Sequence, residues 1–295
     1  MRWADGFIAV DWGTTNRRAY LLGSDGAQRD EMEDDQGILS VSPGQFHQAV
    51  QEIRARLGDL PLLMGGMIGS NRGWVEAPYV ACPAGIADLA EHLRWIEGGR
   101  GAIVPGLSFA EGDAADVMRG EEVQILGAVA AGMIPADAAV LHPGTHNKWI
   151  SVAGGRITSF RTIMTGELFS LLREHSILAD LLKGEVDAGA EFDAGVAHGI
   201  ANDDLVAELF SIRARFLLGK AERGASAAYA SGLLIGSDVR VGLREAGQGE
   251  TVVMGRPELT GLYARAVALA GREAREVDGE MAFLAGAREI AERLQ

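Results

Sequence analysis

Cysteine is nearly absent: Cys82 alone in 295 residues rules out an internal disulfide and any multi-cysteine zinc site. Basic residues are outnumbered, 27 Lys and Arg against 41 Asp and Glu, and the formal net charge is -14. That balance argues against a nucleic acid partner, whose backbone needs clustered cations, and leaves any anionic ligand dependent on a local basic pocket. Long apolar runs are missing. The opening "MRWADGFIAVDWG" has no basic stretch followed by an extended apolar one, and no segment approaches the ~18 apolar residues of a membrane span. A soluble cytoplasmic protein with no membrane partner is the expectation. Two phosphate-binding signatures are also absent, G-x-x-x-x-G-K-[ST] and G-x-G-x-x-G, which removes support for a P-loop ATPase and a Rossmann dehydrogenase. His142 and His146 stand four apart, but Pro143 and Gly144 between them break the helix that would aim both rings at one zinc ion.

What remains is a core-forming chain, 47% hydrophobic and 23% charged, long enough for two ordinary domains or one large one. Strand-like and helix-like stretches alternate, the pattern of an α/β fold. "FIAVDWG" and "RAYLL" read as a hairpin. "SPGQFHQAVQEIRARLG" reads as a helix with Ser42 at its N-cap, Pro43 at the first position, and Phe46, Val50, Ile53 and Leu57 on one face. "LPLLMGGM" suits a buried strand. Later come helices in "GELFSLLREHS", "DLVAELFSIRARFLLG" and "ASAAYASGLLIGSDVRVGL", the strand "TVVMG" and the helix "PELTGLYARAVALA". No low-complexity segment, charge block or flexible linker interrupts them.

The chain also repeats itself. "AVDWGTTNRRAYLLGSDG" from Ala9 aligns with "VLHPGTHNKWISVAGGR" from Val140, so that Gly13, Thr14, Asn16 and Arg17 fall on Gly144, Thr145, Asn147 and Lys148. Each half therefore opens with a strand, a Gly-Thr-x-Asn-basic turn and another strand. A boundary after "GMIPAD" follows, with domains at 1–137 and 138–295. A Gly-Thr turn exposes consecutive backbone N–H groups beside hydroxyls, a nest for phosphate oxygens, and two such turns suit ATP. Phosphoryl transfer further needs a metal and a proton acceptor. Asp11, ending the first strand, is placed to hold Mg²⁺, or else closes its hairpin by bonding its own backbone. Asp116, ahead of a helix in which Ile125, Leu126, Val129 and Ala130 face inward, is the candidate base; Asp113 is an alternative N-cap, and Glu121 and Glu122 favour the helix's positive end.

"DWGTTNRRAY", "MGGMIGSNRGWVEAPYV", "DVMRGEEVQILGA", "HPGTHNKW", "TGELFSLL" and "SGLLIGSDV" together resemble the 2-dehydro-3-deoxygalactonokinases of the actin, Hsp70 and sugar kinase superfamily, over about residues 7–290. The resemblance implies two duplicated ribonuclease H-like domains flanking a cleft for ATP and a sugar acid. It places the phosphate motifs on Gly13, Thr14, Thr15 and Asn16 and on Gly144, Thr145, His146 and Asn147, and the catalytic aspartate on Asp116. It also places an adenosine motif on Ser231, Gly232 and Gly236, with Gly255 closing the purine pocket; close helix packing is the other use of such small residues. The implied substrate is 2-dehydro-3-deoxy-D-galactonate, phosphorylated on its terminal hydroxyl, with Arg72 or Arg17 meeting the carboxylate, Ser70, Asn71 and Trp74 sharing the Arg72 loop, and Glu167 accepting from hydroxyls or merely opening a helix. The implied cofactors are ATP and Mg²⁺. A kinase for the epimeric 2-dehydro-3-deoxygluconate, or a nucleotide- or sugar-sensing protein of the same fold, stays open, and a homodimer is compatible with the sequence without being readable from it.

Overall fold

The structure, a computed structural model, describes residues 3–294. Its strands and helices divide into two compact units. The first unit, through Asp137, opens with β1 (Gly6–Trp12), β2 (Arg17–Gly23) and β3 (Gln28–Asp34), followed by α1 (Phe46–Leu57) and β4 (Leu62–Gly66). It continues through β5 (Tyr79–Ala81), α2 (Ile86–Glu91), β6 (Arg94–Ile96), β7 (Gly101–Ile103), β8 (Gly106–Glu111), β9 (Ala114–Met118) and α3 (Glu121–Ala130). The main sheet runs β3-β2-β1-β4-β7-β6, with β1 antiparallel to β2 and parallel to β4. A small sheet, β5-β8-β9, stands apart.

Alternation along β1 decides what each face of the main sheet buries. Ile8, Val10 and Trp12 enter a core with Phe46, Val50 and Ile53 of α1. On the opposite face Gly65, the parallel partner of Asp11, lies under Val123 of α3 and Phe283. Helix α1 starts later than the Ser42–Pro43 cap implies. Gly44 adopts φ +85°, which no right-handed first turn accommodates, and Ser42 to Gln45 form a separate turn with Gln45 as N-cap. In α3 the inward face is Val123, Ile125, Leu126 and Ala128, while Ala130 is exposed rather than buried.

The second unit holds β10 (Ala138–His142), β11 (Asn147–Ala153), β12 (Arg156–Ile163), α4 (Thr165–His175), α5 (Ala190–Ala201) and α6 (Leu205–Leu217). After these come α7 (Ser226–Glu245), β13 (Thr251–Gly255), α8 (Pro257–Leu269) and β14 (Ala274–Asp278). Its sheet runs β12-β11-β10-β13-β14, and β13 is parallel to both β10 and β14. Three successive strands stepping outward from the centre, then crossover strands on the other side, is the order of the first unit as well. The repeat seen in the sequence is thus a repeat of topology, the duplicated ribonuclease H-like arrangement.

Two segments beyond residue 137 do not stay with the second unit as the 138–295 assignment has it. Val152–Ser159, the tip of the β11–β12 pair, belongs to the first unit, where Ile157 and Ala84 exchange backbone hydrogen bonds of 2.9 and 3.0 Å. The last helix, α9 (Gly279–Glu292), also returns there and lies on α3: a Cβ on Gly127 would be 2.3 Å from Gly286 N, and one on Gly286 would be 2.1 Å from Val123 O. Only glycine allows two helix backbones that close together. Among the described residues no helix is long and apolar enough to cross a membrane.

Candidate active site

The turn Gly13 to Asn16 joins β1 to β2 and is seated on the loop after β3. Ile38, Leu39 and Gly37 donate their N–H groups to the carbonyls of Gly13, Thr14 and Thr15 at 3.0, 3.2 and 3.1 Å. A trans peptide points its N–H opposite to its C=O, so the N–H groups of Thr14, Thr15 and Asn16 face away from that loop. Thr14 and Thr15 are exposed. Gly37 is what permits the seating, since a Cβ there would lie 2.3 Å from the Thr15 carbonyl carbon.

The second turn, Gly144 to Asn147, is built on the same plan with different parts. Glu167 N–H donates to Thr145 O at 2.9 Å, and a Cβ on Gly166 would lie 2.3 Å from Gly144 O. The first turn of α4 therefore backs this turn as the Gly37 loop backs the other. Asn147 is fully buried; its Oδ1 accepts the Gly144 N–H at 2.7 Å and its Nδ2 donates to Asp238 Oδ2 at 2.6 Å and to Tyr263 OH. Asp238, on α7, also accepts from Trp149 Nε1 at 2.7 Å and from Thr165 Oγ1. Burial pushes the Asp238 carboxyl above its ordinary range, against the pull of these donors. His146 and Glu167 face one another on the surface, Nε2 to Oε2 at 2.5 Å.

The basic residues after the two turns are alike in burial and differ from the expectation for Arg17. Arg17 is 2% exposed and spans to β3, where Asp34 accepts from Nε at 3.1 Å and Nη2 at 2.6 Å; the guanidinium also lies over Trp12, 5.0 Å from its centroid. Lys148 likewise reaches the third strand of its sheet, donating to Thr162 Oγ1 at 2.6 Å. Arg17 is consumed in holding its sheet together and is not available to a carboxylate.

Arg72 is exposed, on the loop after β4, and among the described residues its guanidinium has no carboxylate partner. Ser70 is buried and its Oγ accepts the Arg72 N–H at 3.2 Å, Asn71 is exposed, and half-buried Trp74 leans on the α1 core. The loop is pinned from beneath by Arg119, a residue the sequence reading missed. Arg119 is buried, donates from Nη2 to Ala77 O at 2.9 Å and lies 4.4 Å from the Tyr79 ring centroid.

Asp11 sits opposite Arg18 on β2 and Gly65 on β4, at the C-terminal ends of two parallel-paired strands. Asp116 does not lie just ahead of α3. It is within β9, opposite Phe109 and half-buried, with Oδ1 accepting the N–H of Val117 at 2.7 Å. The helix begins instead at Glu121, where Glu122 Oε2 accepts the Gly120 N–H at 2.7 Å. Glu122 is fully buried, and burial, helped by the neighbouring Glu121, pushes its carboxyl up to about 8.

The adenosine assignment changes. Gly232 and Gly236 face α5 in a helix seam: a Cβ on Gly232 would be 2.1 Å from Phe192 O, and one on Gly236 2.3 Å from Val196 O. Gly195 and Gly199 return the contact from α5, and Ser231 is buried in the same helix. Helix packing is what those small residues serve. Gly255 lies elsewhere, at the C-terminal end of β13, where its φ of +154° turns the chain toward Pro257 at the start of α8 and a Cβ would be 3.6 Å from Pro143 O. It thus borders the second Gly-Thr turn, at the strand ends where open α/β sheets bind ligands.

Residues 11–290 match the family described as 2-keto-3-deoxy-galactonokinase. The chain belongs to that family. It is 36% identical over 289 residues to the 2-dehydro-3-deoxygalactonokinase of Escherichia coli (strain K12), covering 97% of each chain. It is also 36% identical to a relative in Rhizobium meliloti (strain 1021) that bears the same enzyme name, covering 95% of this chain and 94% of the other. A Sinorhizobium meliloti crystal structure designated as a 2-dehydro-3-deoxygalactonokinase protein superposes with a TM-score of 0.91 at 33% identity, over 97% and 98% of the two chains. The fold alone extends further: an activator of 2-hydroxyisocaproyl-CoA dehydratase from Clostridium difficile, solved with bound ADPNP, gives a TM-score of 0.52 at 11% identity over 98% and 94%. In this member of the kinase family much of the support of the turns, Gly37, Gly166 and Asp238, comes from positions distant in sequence. Only the "SGLLIGSDV" stretch carried a signal, an acid in an otherwise uncharged run.

Proposed function

We propose that the protein transfers the γ-phosphoryl group of ATP to the terminal hydroxyl of 2-dehydro-3-deoxy-D-galactonate, forming the 6-phosphate in galactonate catabolism. Membership of the galactonokinase family over residues 11–290 carries this reading. The backed Gly-Thr turn present in each unit supports it: the first turns the N–H groups of Thr14, Thr15 and Asn16 away from its backing, toward phosphate oxygens, and the second is backed through the Thr145 carbonyl. Gly255, at the strand end beside Pro143, is the proposed floor of the nucleotide site.

Arg72 is proposed to receive the substrate carboxylate, with Ser70, Asn71 and Trp74 shaping that loop and Glu167 accepting from a hydroxyl. Asp116 is the proposed proton acceptor: as the hydroxyl oxygen bonds to the γ-phosphorus and the bond to ADP breaks, the proton passes to its carboxylate. Its half-exposure favours it over Glu122, whose carboxyl is shut away from solvent. Asp11, at the C-terminal end of β1, is the residue that would hold a Mg²⁺ together with the nucleotide's own oxygens. Such an ion neutralises phosphate charge.

A coupled ADP-release assay across 2-dehydro-3-deoxygalactonate, its gluconate epimer, galactonate and glucose tests the reading. Strong preference for the first is expected. Equal turnover of the epimer would overturn the substrate, and a silent panel with retained ATP binding would favour a sensor.

A further inference from the structure

Asp238 is buried in the middle of α7, 2% exposed, yet is bonded to residues on three other elements, Asn147 and Trp149 of β11, Thr165 of α4 and Tyr263 of α8. Every one of these partners offers a donor: an amide N–H, an indole N–H and two hydroxyls. An ionised carboxylate has about four acceptor sites and no donor, whereas the isosteric amide of asparagine has one acceptor oxygen and two donors of its own. The position therefore takes an anion in spite of the cost of burying one, because only an anion satisfies all of these groups together.

The consequence reaches the phosphate turn through one intermediate. With its Nδ2 committed to the anion, the Asn147 amide must present Oδ1 on its other side, and there it accepts the N–H of Gly144 at 2.7 Å. Thr165, the neighbour of the backing residue Gly166, is fixed by the same carboxylate oxygen. Turn and backing are thus referred to one buried charge. We propose that Asp238 is a positioning residue for nucleotide binding, holding the Gly144–Asn147 turn in its phosphate-receiving shape without touching the ligand. This rests on the reading of that turn as a phosphate seat.

The test compares Asp238→Asn, Thr165→Val and Thr165→Ser with the parent enzyme. ADP affinity is measured by direct titration, the KM for ATP and for the sugar acid by kinetics, and Tm by thermal melting. Asp238→Asn should weaken ADP binding and raise the ATP KM at least tenfold, with the sugar-acid KM changed less than about twofold at temperatures where the variant is folded. Thr165→Val should follow in the same direction, and Thr165→Ser, which restores the hydroxyl, should recover the parent values. A lowered Tm with unchanged ADP affinity, or both KM values rising together, would overturn the proposal. If Asp238→Asn does not fold, the contrast between the two Thr165 variants decides by the same criteria. Parent protein that fails to bind ADP would instead count against the nucleotide reading itself.

Discussion

Arg17 and Asp34 stand directly opposite each other on β2 and β3 and meet through two hydrogen bonds, Nη2 to Oδ2 at 2.6 Å and Nε to Oδ1 at 3.1 Å. An arginine so engaged is a stability element, and Arg72, exposed on its loop, is the one proposed to meet a substrate carboxylate. Arg17→Ala should lower stability by about 3 kcal/mol, because it abandons a partly buried carboxylate, while the KM of the folded variant stays near that of the parent. Arg72→Ala should do the reverse, raising the sugar-acid KM roughly 10- to 100-fold with little change in Tm. Denaturation midpoints and kinetics on both variants settle which arginine meets the ligand.

Glycines at two places invite opposite outcomes. Gly166→Ala forces a Cβ onto the Gly144 carbonyl and should shift the second turn; loss of even one backbone hydrogen bond, about 1.4 kcal/mol, is a tenfold change in nucleotide affinity. Gly232→Ala pushes α7 off α5 and should cost about 1–3 kcal/mol of stability, with ADP affinity of the folded fraction preserved. Equal loss of ADP affinity in both variants would return Gly232 to the nucleotide site.

Glu122 makes a prediction about pH. Its carboxyl titrates at about 8 in the folded chain against 4.5 when unperturbed, so the fold favours the neutral form. Stability from this group is complete below pH 4.5, declines as the unfolded chain alone loses the proton, and is fully lost once pH passes 8. Glu122→Gln should flatten that decline and raise stability at pH 9 by a few kcal/mol, without abolishing turnover. Asp116→Asn should instead reduce kcat by on the order of 100-fold or more with ADP binding retained. Melting curves across pH, paired with kinetics, separate the two carboxylates; turnover lost in Glu122→Gln and kept in Asp116→Asn would exchange their roles.

Much of the architecture was legible because it is written locally. The strand and helix patterns and the Gly-Thr turns at Gly13 and Gly144 are contiguous in sequence, and periodicity exposes them. The supports of those turns are not. Gly37 backs a turn that precedes it by more than twenty residues, and Gly166 becomes meaningful only when α4 is seen beneath Gly144. Arg17 illustrates the same limit, since its partner is named by strand register rather than by spacing. Gly232 and Gly236 carried two readings for a chemical reason: a helix that admits a ligand and a helix that admits another helix both require small residues. Ser42 and Pro43 looked like a cap until Gly44, with its positive φ, placed them in a turn of their own.

The return of α9 to α3 sets an order of events during synthesis. Most of the first unit precedes the second in sequence, yet its layer over Gly65 includes Phe283, from a helix that follows the second unit. The elements of the second unit emerge whole before that helix does. The covering layer over Gly65 is therefore incomplete until that helix has been made. Removing α9 would accordingly uncover β4 at Gly65 and the glycine face of α3.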